Sequence, residues 1–228
     1  MPGLQKVGGL AALYMAASYA LGIVIFLVVL DYPHITDSAQ KIALLVDQPG
    51  MIFTTNLILF VVFGIALILF VMALHDRLKA ETPVMANFAS VVGIIWAGSL
   101  IASGMVANAG IGPAVRLFGT DPAQAALIWA QTETVASGLG NGDGEILGGL
   151  MTLVYSWAGM MGKSMPRPLG YLGMAVGLVG IASIMPGLTD LTAVFGITQL
   201  LWFAAVAVVL LRGTPDGLTG TGARVRAR

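Results

Sequence analysis

Long apolar stretches alternate with short polar ones along this chain. Six runs stand out: Gly8–Leu30, Met51–Leu74, Phe88–Ala107, Glu145–Met161, Leu169–Leu188 and Leu191–Leu211. Each approaches the length needed to cross a bilayer, because about 20 residues at about 1.5 Å rise span about 30 Å of hydrocarbon. The fourth is the shortest. Lipid offers the backbone no hydrogen-bond partner, so each run is expected to be helical. The alternating pattern of a membrane barrel is absent. The expected fold class is therefore all-α: a polytopic bundle of six transmembrane helices.

Turn chemistry between the runs agrees. Thr82-Pro83 reads as an N-cap followed by a first-turn proline, so the third helix is expected to begin before its lipid-facing part. Pro166 and Pro168 separate the fourth run from the fifth, and Pro186-Gly187 ends the fifth. The longest interval, Asn108 to Gly144, holds a further helical segment around 122–138, opened by Asp121-Pro122. It is expected to lie at the outer surface or to dip in and return, with Trp129 near the headgroups. If it crossed, Lys163 and Arg167 would change sides.

Charge supplies an independent test of this threading. With the N-terminus cytoplasmic, nine of the eleven basic residues fall inside, and only Lys41 and Arg116 fall outside. That asymmetry is the positive-inside pattern. Both termini are thus expected in the cytoplasm. Residues 1–212 are expected to form a single transmembrane domain, and 213–228 a disordered basic cytoplasmic tail with three terminal arginines.

Composition points the same way. Hydrophobic residues make up 57% of the 228 and charged residues 10%, whereas a soluble domain needs about a quarter charged to cover its surface. Mean hydropathy is +0.91. Net charge is zero, so total charge implies no nucleic-acid partner. With no cysteine, disulfides, thiolate metal sites and iron–sulfur ligation by this chain are excluded. No cleaved targeting peptide is evident, because Gly8–Leu30 is longer than a signal-peptide core.

Candidate chemistry is sparse. Ionisable groups within membrane spans are the usual pointers to function, and the interiors of these runs hold none; Glu145 and His75 stand at run ends. A proton pump, a voltage sensor and a retinal Schiff base are therefore not expected. Nor is a membrane haem, because His34 and His75 fall on opposite sides. Asp31, His34 and Asp37 recur at three-residue spacing and are weak candidates for a divalent ion, with Pro33 in their midst. Asn141-Gly142-Asp143-Gly144-Glu145 resembles part of a calcium loop but lacks its distal glutamate. Polar residues at a helix exit and a glycine turn are the favoured readings of the two clusters, and neither is a strong metal signal. The expectation is no catalytic residue, no metal and no cofactor.

The glycine-rich break at Gly138–Gly144 has another reading. An apolar segment, a break and a short helix is the layout of discontinuous transporter helices, where Glu133 or Glu145 could meet a cation. Gly170, Gly173, Gly177 and Gly180 line one helical face, and Gly93, Gly98, Gly104, Gly148 and Gly149 add small surfaces. Such surfaces let membrane helices approach closely, within the bundle or in an oligomer.

Glu145-Ile146-Leu147-Gly148-Gly149-Leu150, Ser156-Trp157-Ala158, the stretch from Met165 through Pro166, Arg167, Pro168, Leu169, Gly170, Tyr171 and Leu172 to Gly173, then Phe195-Gly196, the stretch Gln199–Phe203 and Leu210-Leu211-Arg212 together resemble an uncharacterised family of small bacterial six-helix membrane proteins. The likeness is carried mostly by the C-terminal third. It implies a bacterial inner-membrane location and supplies no reaction, ligand or catalytic residue.

The leading functional expectation is a non-catalytic membrane protein, an accessory or structural subunit whose partners are membrane lipids and either further copies of itself or a larger membrane complex. The alternatives are a carrier or channel for a small neutral or lipidic solute, centred on Gly138–Gly144, and a membrane enzyme with an outer-face site at Asp31, His34, Asp143 and Glu145. The absence of cysteine makes the topology directly testable. A lone cysteine introduced by Lys163→Cys should react with a membrane-impermeant maleimide only from the cytoplasmic side; labelling only from the opposite side would reverse the orientation.

Overall fold

The structure, a computed structural model, describes residues 2–29, 35, 37–141 and 144–212. The expected tail at 213–228, and Asp31, His34 and Asp143, lie outside the described residues. Within them the chain is all-helical, with no strand. In order come α1 (Pro2–Ile23), α2 (Ser38–Asp47), α3 (Pro49–Asn56), α4 (Phe63–Leu78), α5 (Pro83–Phe118), α6 (Pro122–Ala136), α7 (Ile146–Met161), α8 (Arg167–Ala182) and α9 (Leu191–Leu211). Among the described residues, two π-helical segments and one kink interrupt this regularity. Val24–Val29 continues α1, Leu57–Val62 joins α3 to α4, and Ser137–Asn141 follows α6.

Four helical stretches are long and apolar enough to cross a membrane: Gly3–Phe26, Pro49–Leu78, Pro83–Phe118 and Leu191–Leu211. α7 and α8 are apolar but shorter, at 16 residues each. These six elements form a closed ring in the order α1, α4, α5, α7, α8, α9 and back to α1. Outward faces are apolar, with Leu10, Ile65, Val91, Ile95, Met105, Leu178 and Ile197 exposed. The ring centre is filled by aromatic side chains. Phe70 meets Trp202 and Phe203 edge-on at 5.8 and 5.4 Å, Phe63 meets Phe203 and Trp96 at 6.1 and 6.2 Å, and Tyr19 meets Phe63 at 5.6 Å. Edge-to-face contact is the favoured geometry for such rings.

The α7–α8 seam is where the glycines act. A Cβ on Gly149 would lie 2.7 Å from the Gly177 carbonyl oxygen, and one on Gly177 would lie 2.6 Å from the Gly149 carbonyl oxygen. At Gly173 a Cβ would collide with Ser156 and Trp202, and at Gly170 with Met160. The glycine stripe thus packs inside the bundle, backbone against backbone. Gly98 differs: a Cβ there meets nothing.

Beyond the ring, α5 runs on to Phe118 instead of stopping near Ala107. At 36 residues it measures about 54 Å, well over a bilayer's hydrocarbon thickness. Its far end joins α2, α3 and α6 in a small cap with its own core, comprising Ile42, Leu45, Ile52, Ile111, Ala114, Ala125 and Trp129. Gly110, Gly112 and Pro113 do not end α5, because α2 and α6 pack along it. α6 begins at the expected Pro122, capped by Asp121 Oδ1 accepting from the Gln124 N–H at 3.0 Å. Trp129, expected at the headgroups, is instead 5% exposed within this cap core. α2 has no counterpart among the expected helices.

The seam yields a prediction. Gly177→Leu should force α7 and α8 apart and cost about 3 kcal/mol, read as a fall in thermal midpoint in detergent. Gly98→Ala, with open space around its Cβ, should be neutral or stabilising by up to about 1 kcal/mol. Equal effects at the two positions would contradict the close approach.

Candidate functional site

A cavity of about 210 Å³, open on one side, lies at one end of the ring. α1 contributes Ser18, Tyr19, Gly22 and Ile23; α4 and α5 contribute Phe63 and Leu100; α9 contributes Thr192, Phe195 and Gly196. The remaining wall comes from Phe26, Leu59, Phe60, Gly140 and Glu145. Among the described residues, two π-helical segments and one kink therefore reach this cavity: Phe26 from the first segment, Leu59 and Phe60 from the second, and Gly140, at φ +119, from the kink. A π turn shifts the register of the backbone ladder and leaves carbonyls to be satisfied elsewhere, which is why such turns concentrate at functional sites. One such carbonyl is capped across the ring: the Tyr14 hydroxyl donates to the Ile58 oxygen at 2.7 Å.

Glu145 is set in place by backbone chemistry. Gly144 has φ +124, a conformation that favours glycine, and a Cβ there would stand 2.8 Å from the Ile184 backbone. The Glu145 N–H donates to Ser183 Oγ at 3.0 Å, and that hydroxyl donates to the Gly180 oxygen at 2.7 Å. Together these contacts tie the start of α7 to the end of α8. The Glu145 side chain makes no capping bond to α7. It lines the cavity instead, half-buried, with no cation beside it among the described residues. Trp96 stands next to the carboxyl, but its Nε1 makes no hydrogen bond of ordinary geometry. Gly148 makes room for that indole: a Cβ there would lie 2.7 Å from Trp96 Cζ2.

Polar groups deeper in the ring contrast with those at the cavity. Gln199 Nε2 donates to Thr152 Oγ1 at 2.9 Å, and Trp202 Nε1 donates to Ser156 Oγ at 3.0 Å. Ser90 Oγ donates to the Ala86 oxygen at 2.6 Å and lies 2.8 Å from the Tyr155 hydroxyl and 3.1 Å from His75 Nδ1, and the Tyr155 hydroxyl also reaches the Val71 oxygen at 3.2 Å. These groups satisfy one another. At the cavity, Ser18 Oγ and Thr192 Oγ1 are buried without a partner, and Ser18 is only 4% exposed. Buried polar atoms are nearly always bonded.

The other candidates separate. Asp37 caps α2, its Oδ1 accepting from the Ala39 N–H at 3.0 Å. Glu133 pairs with Lys41 at 3.5 Å, joining α6 to α2 within the cap. Of the outer-face enzyme set, only Glu145 falls among the described residues, and the side chain of Asn141 is not described. Among the described residues, no three His, Asp or Glu side chains gather in a way that could hold a metal. Glu145 alone of the candidates lines the cavity. Sequence reasoning missed Ser18, Tyr19 and Thr192, which nothing in the sequence distinguishes from other helix-packing residues.

The chain matches no protein-family model, no curated protein and no solved structure.

If the π turn between α3 and α4 depends on its cap, Tyr14→Phe should cost about 1–2 kcal/mol by orphaning the Ile58 carbonyl. Hydrogen exchange should then accelerate locally at residues 57–62; an unchanged rate and thermal midpoint would count against the cap.

Proposed function

We propose that the chain is an integral membrane protein whose six ring helices all cross the bilayer, with both ends cytoplasmic, and that it carries a small solute through the cavity bounded by Glu145. The observation that supports this reading best is the convergence of three helix breaks, two π-helical segments and the kink at Gly140, on one cavity bounded by Glu145. Irregular backbone at membrane depth is tolerated where it is buried in protein or faces a cavity, and discontinuous helices beside a midplane site are the layout of secondary transporters. The aromatic centre closes the cavity at its inner end in this conformation, which favours a carrier over a permanently open channel. Transport then requires the α1–α9 side of the ring to move relative to α5 and α7.

The accessory-subunit reading rests on the absence of charge inside the spans, the lack of cofactor ligands and the abundance of small-residue helix faces. The α7–α8 glycines pack within the ring, so that stripe supplies no surface for a partner. The bacterial inner membrane remains the compartment implied by the family resemblance.

Liposomes containing the protein should show flux of at least one member of a panel of small solutes. Gly196→Leu should reduce that flux at least tenfold while leaving the protein monodisperse, since a Cβ at Gly196 has ordinary room beside Tyr19 at 3.6 Å and a longer side chain fills the cavity. Absence of flux across the panel, or full flux in the Leu variant, would remove the carrier.

A further inference from the structure

Resting on the carrier reading, we propose that the solute is a small hydrophobic organic cation: an ammonium group facing Glu145, with one aromatic-ring-sized body among the phenyl groups of the cavity. Three observations converge on this class. The first is charge. Among the described residues, Glu145 is the one carboxylate on the cavity wall, and no basic group pairs with it there. A buried carboxyl without a counter-ion favours its protonated form, and an incoming cation stabilises the ionised form in place of that proton. A neutral solute gains nothing from this exchange, and an anion opposes it.

The second is the character of the walls. Tyr19, Phe26, Phe60, Phe63 and Phe195 surround the space, and ring faces attract cations, most strongly where water is excluded. An inorganic cation would need about six or more oxygen ligands. Among the described lining residues are a single carboxylate, Glu145, and three hydroxyl-bearing side chains, Ser18, Tyr19 and Thr192, with the rest of the lining mostly apolar. A cation with an apolar shell fits what this lining does offer.

The third is size. An apolar cavity of about 150 Å³ holds one benzene molecule. The 210 Å³ here leaves room for one ring plus a small ammonium head, and excludes large dyes and whole lipids.

The test compares two probes of equal shape and different charge. Benzyltrimethylammonium and neopentylbenzene differ only in a quaternary nitrogen replaced by carbon. Binding would be measured calorimetrically to the full chain in lipid nanodiscs, with empty nanodiscs as the blank. The expected result is that benzyltrimethylammonium binds at least tenfold more tightly than neopentylbenzene, and that Glu145→Gln removes the preference. Because the first comparison needs no variant, it stands even if Glu145→Gln folds poorly. Equal binding of the two probes would overturn the cation assignment while leaving the cavity as a binding site. Binding of neither would overturn both the assignment and the carrier reading.

Discussion

The backbone hydrogen bond is the interaction on which the rest of this structure depends. A chain with 10% charged residues cannot surround its polar backbone with water, so nearly every N–H and C=O must find a partner inside the protein. Regular helix satisfies that demand locally. Departures from it require specific compensation, and side chains from neighbouring helices supply it. The Ile58 carbonyl receives the Tyr14 hydroxyl, the Phe53 carbonyl receives Asn108 Nδ2, and the Ala136 carbonyl receives Ser103 Oγ. Each of these bonds covers a place where the ladder slips.

With the backbone paired, what remains is packing. Lipid gives helices little reason to associate beyond contact itself, so close approach matters more than apolar area. Gly149, Gly177 and Gly180 bring the backbones of α7 and α8 together, and Gly64 and Gly104 do the same where α4 and its π turn meet α5. Large side chains then fill the space the glycines leave: Trp96 against Gly148, Trp202 against Gly173, Phe195 against Gly180. At the end of the ring where the π segments displace α1 and α4 from regular register, this filling is incomplete. The cavity is the result. Its hydroxyls, Ser18 and Thr192, are left unpaired.

Much of this arrangement is legible in the order of residues alone. α9 coincides with its apolar run residue for residue, Leu191–Leu211, because Asp190 and Arg212 bracket a stretch with no polar break except Thr192, Thr198 and Gln199. α6 opens at the expected proline because Asp121-Pro122 is a local signal, complete within a few residues. Other features depend on partners far along the chain. Gly110, Gly112 and Pro113 look like a helix end, yet α5 continues because the cap supplies a core for it. α2 carries its own signals, with Asp37 preceding Ser38 as an N-cap and Ile42 and Leu45 buried together, but a helix of 10 residues is too short to stand out in hydropathy. The π segments at 24–29 and 57–62 are apolar runs like their neighbours. Their register slip arises from the tertiary fit of α1, α4 and α5, and so does the cavity. Glu145 stands out in the sequence as a lone acid at a run end; its companions on α1 and α9 do not stand out at all.

A closed ring whose regular helices satisfy their own backbone, broken where two π segments and a kink meet one cavity, should show that contrast in its amide exchange. Hydrogen–deuterium exchange of the protein in lipid nanodiscs measures it segment by segment. Amides of α7, α8 and α9 should resist exchange, while residues 24–29, 57–62 and 137–141 should exchange measurably faster as a group. Uniform protection through those three segments, or rapid exchange across the ring helices, would contradict this architecture.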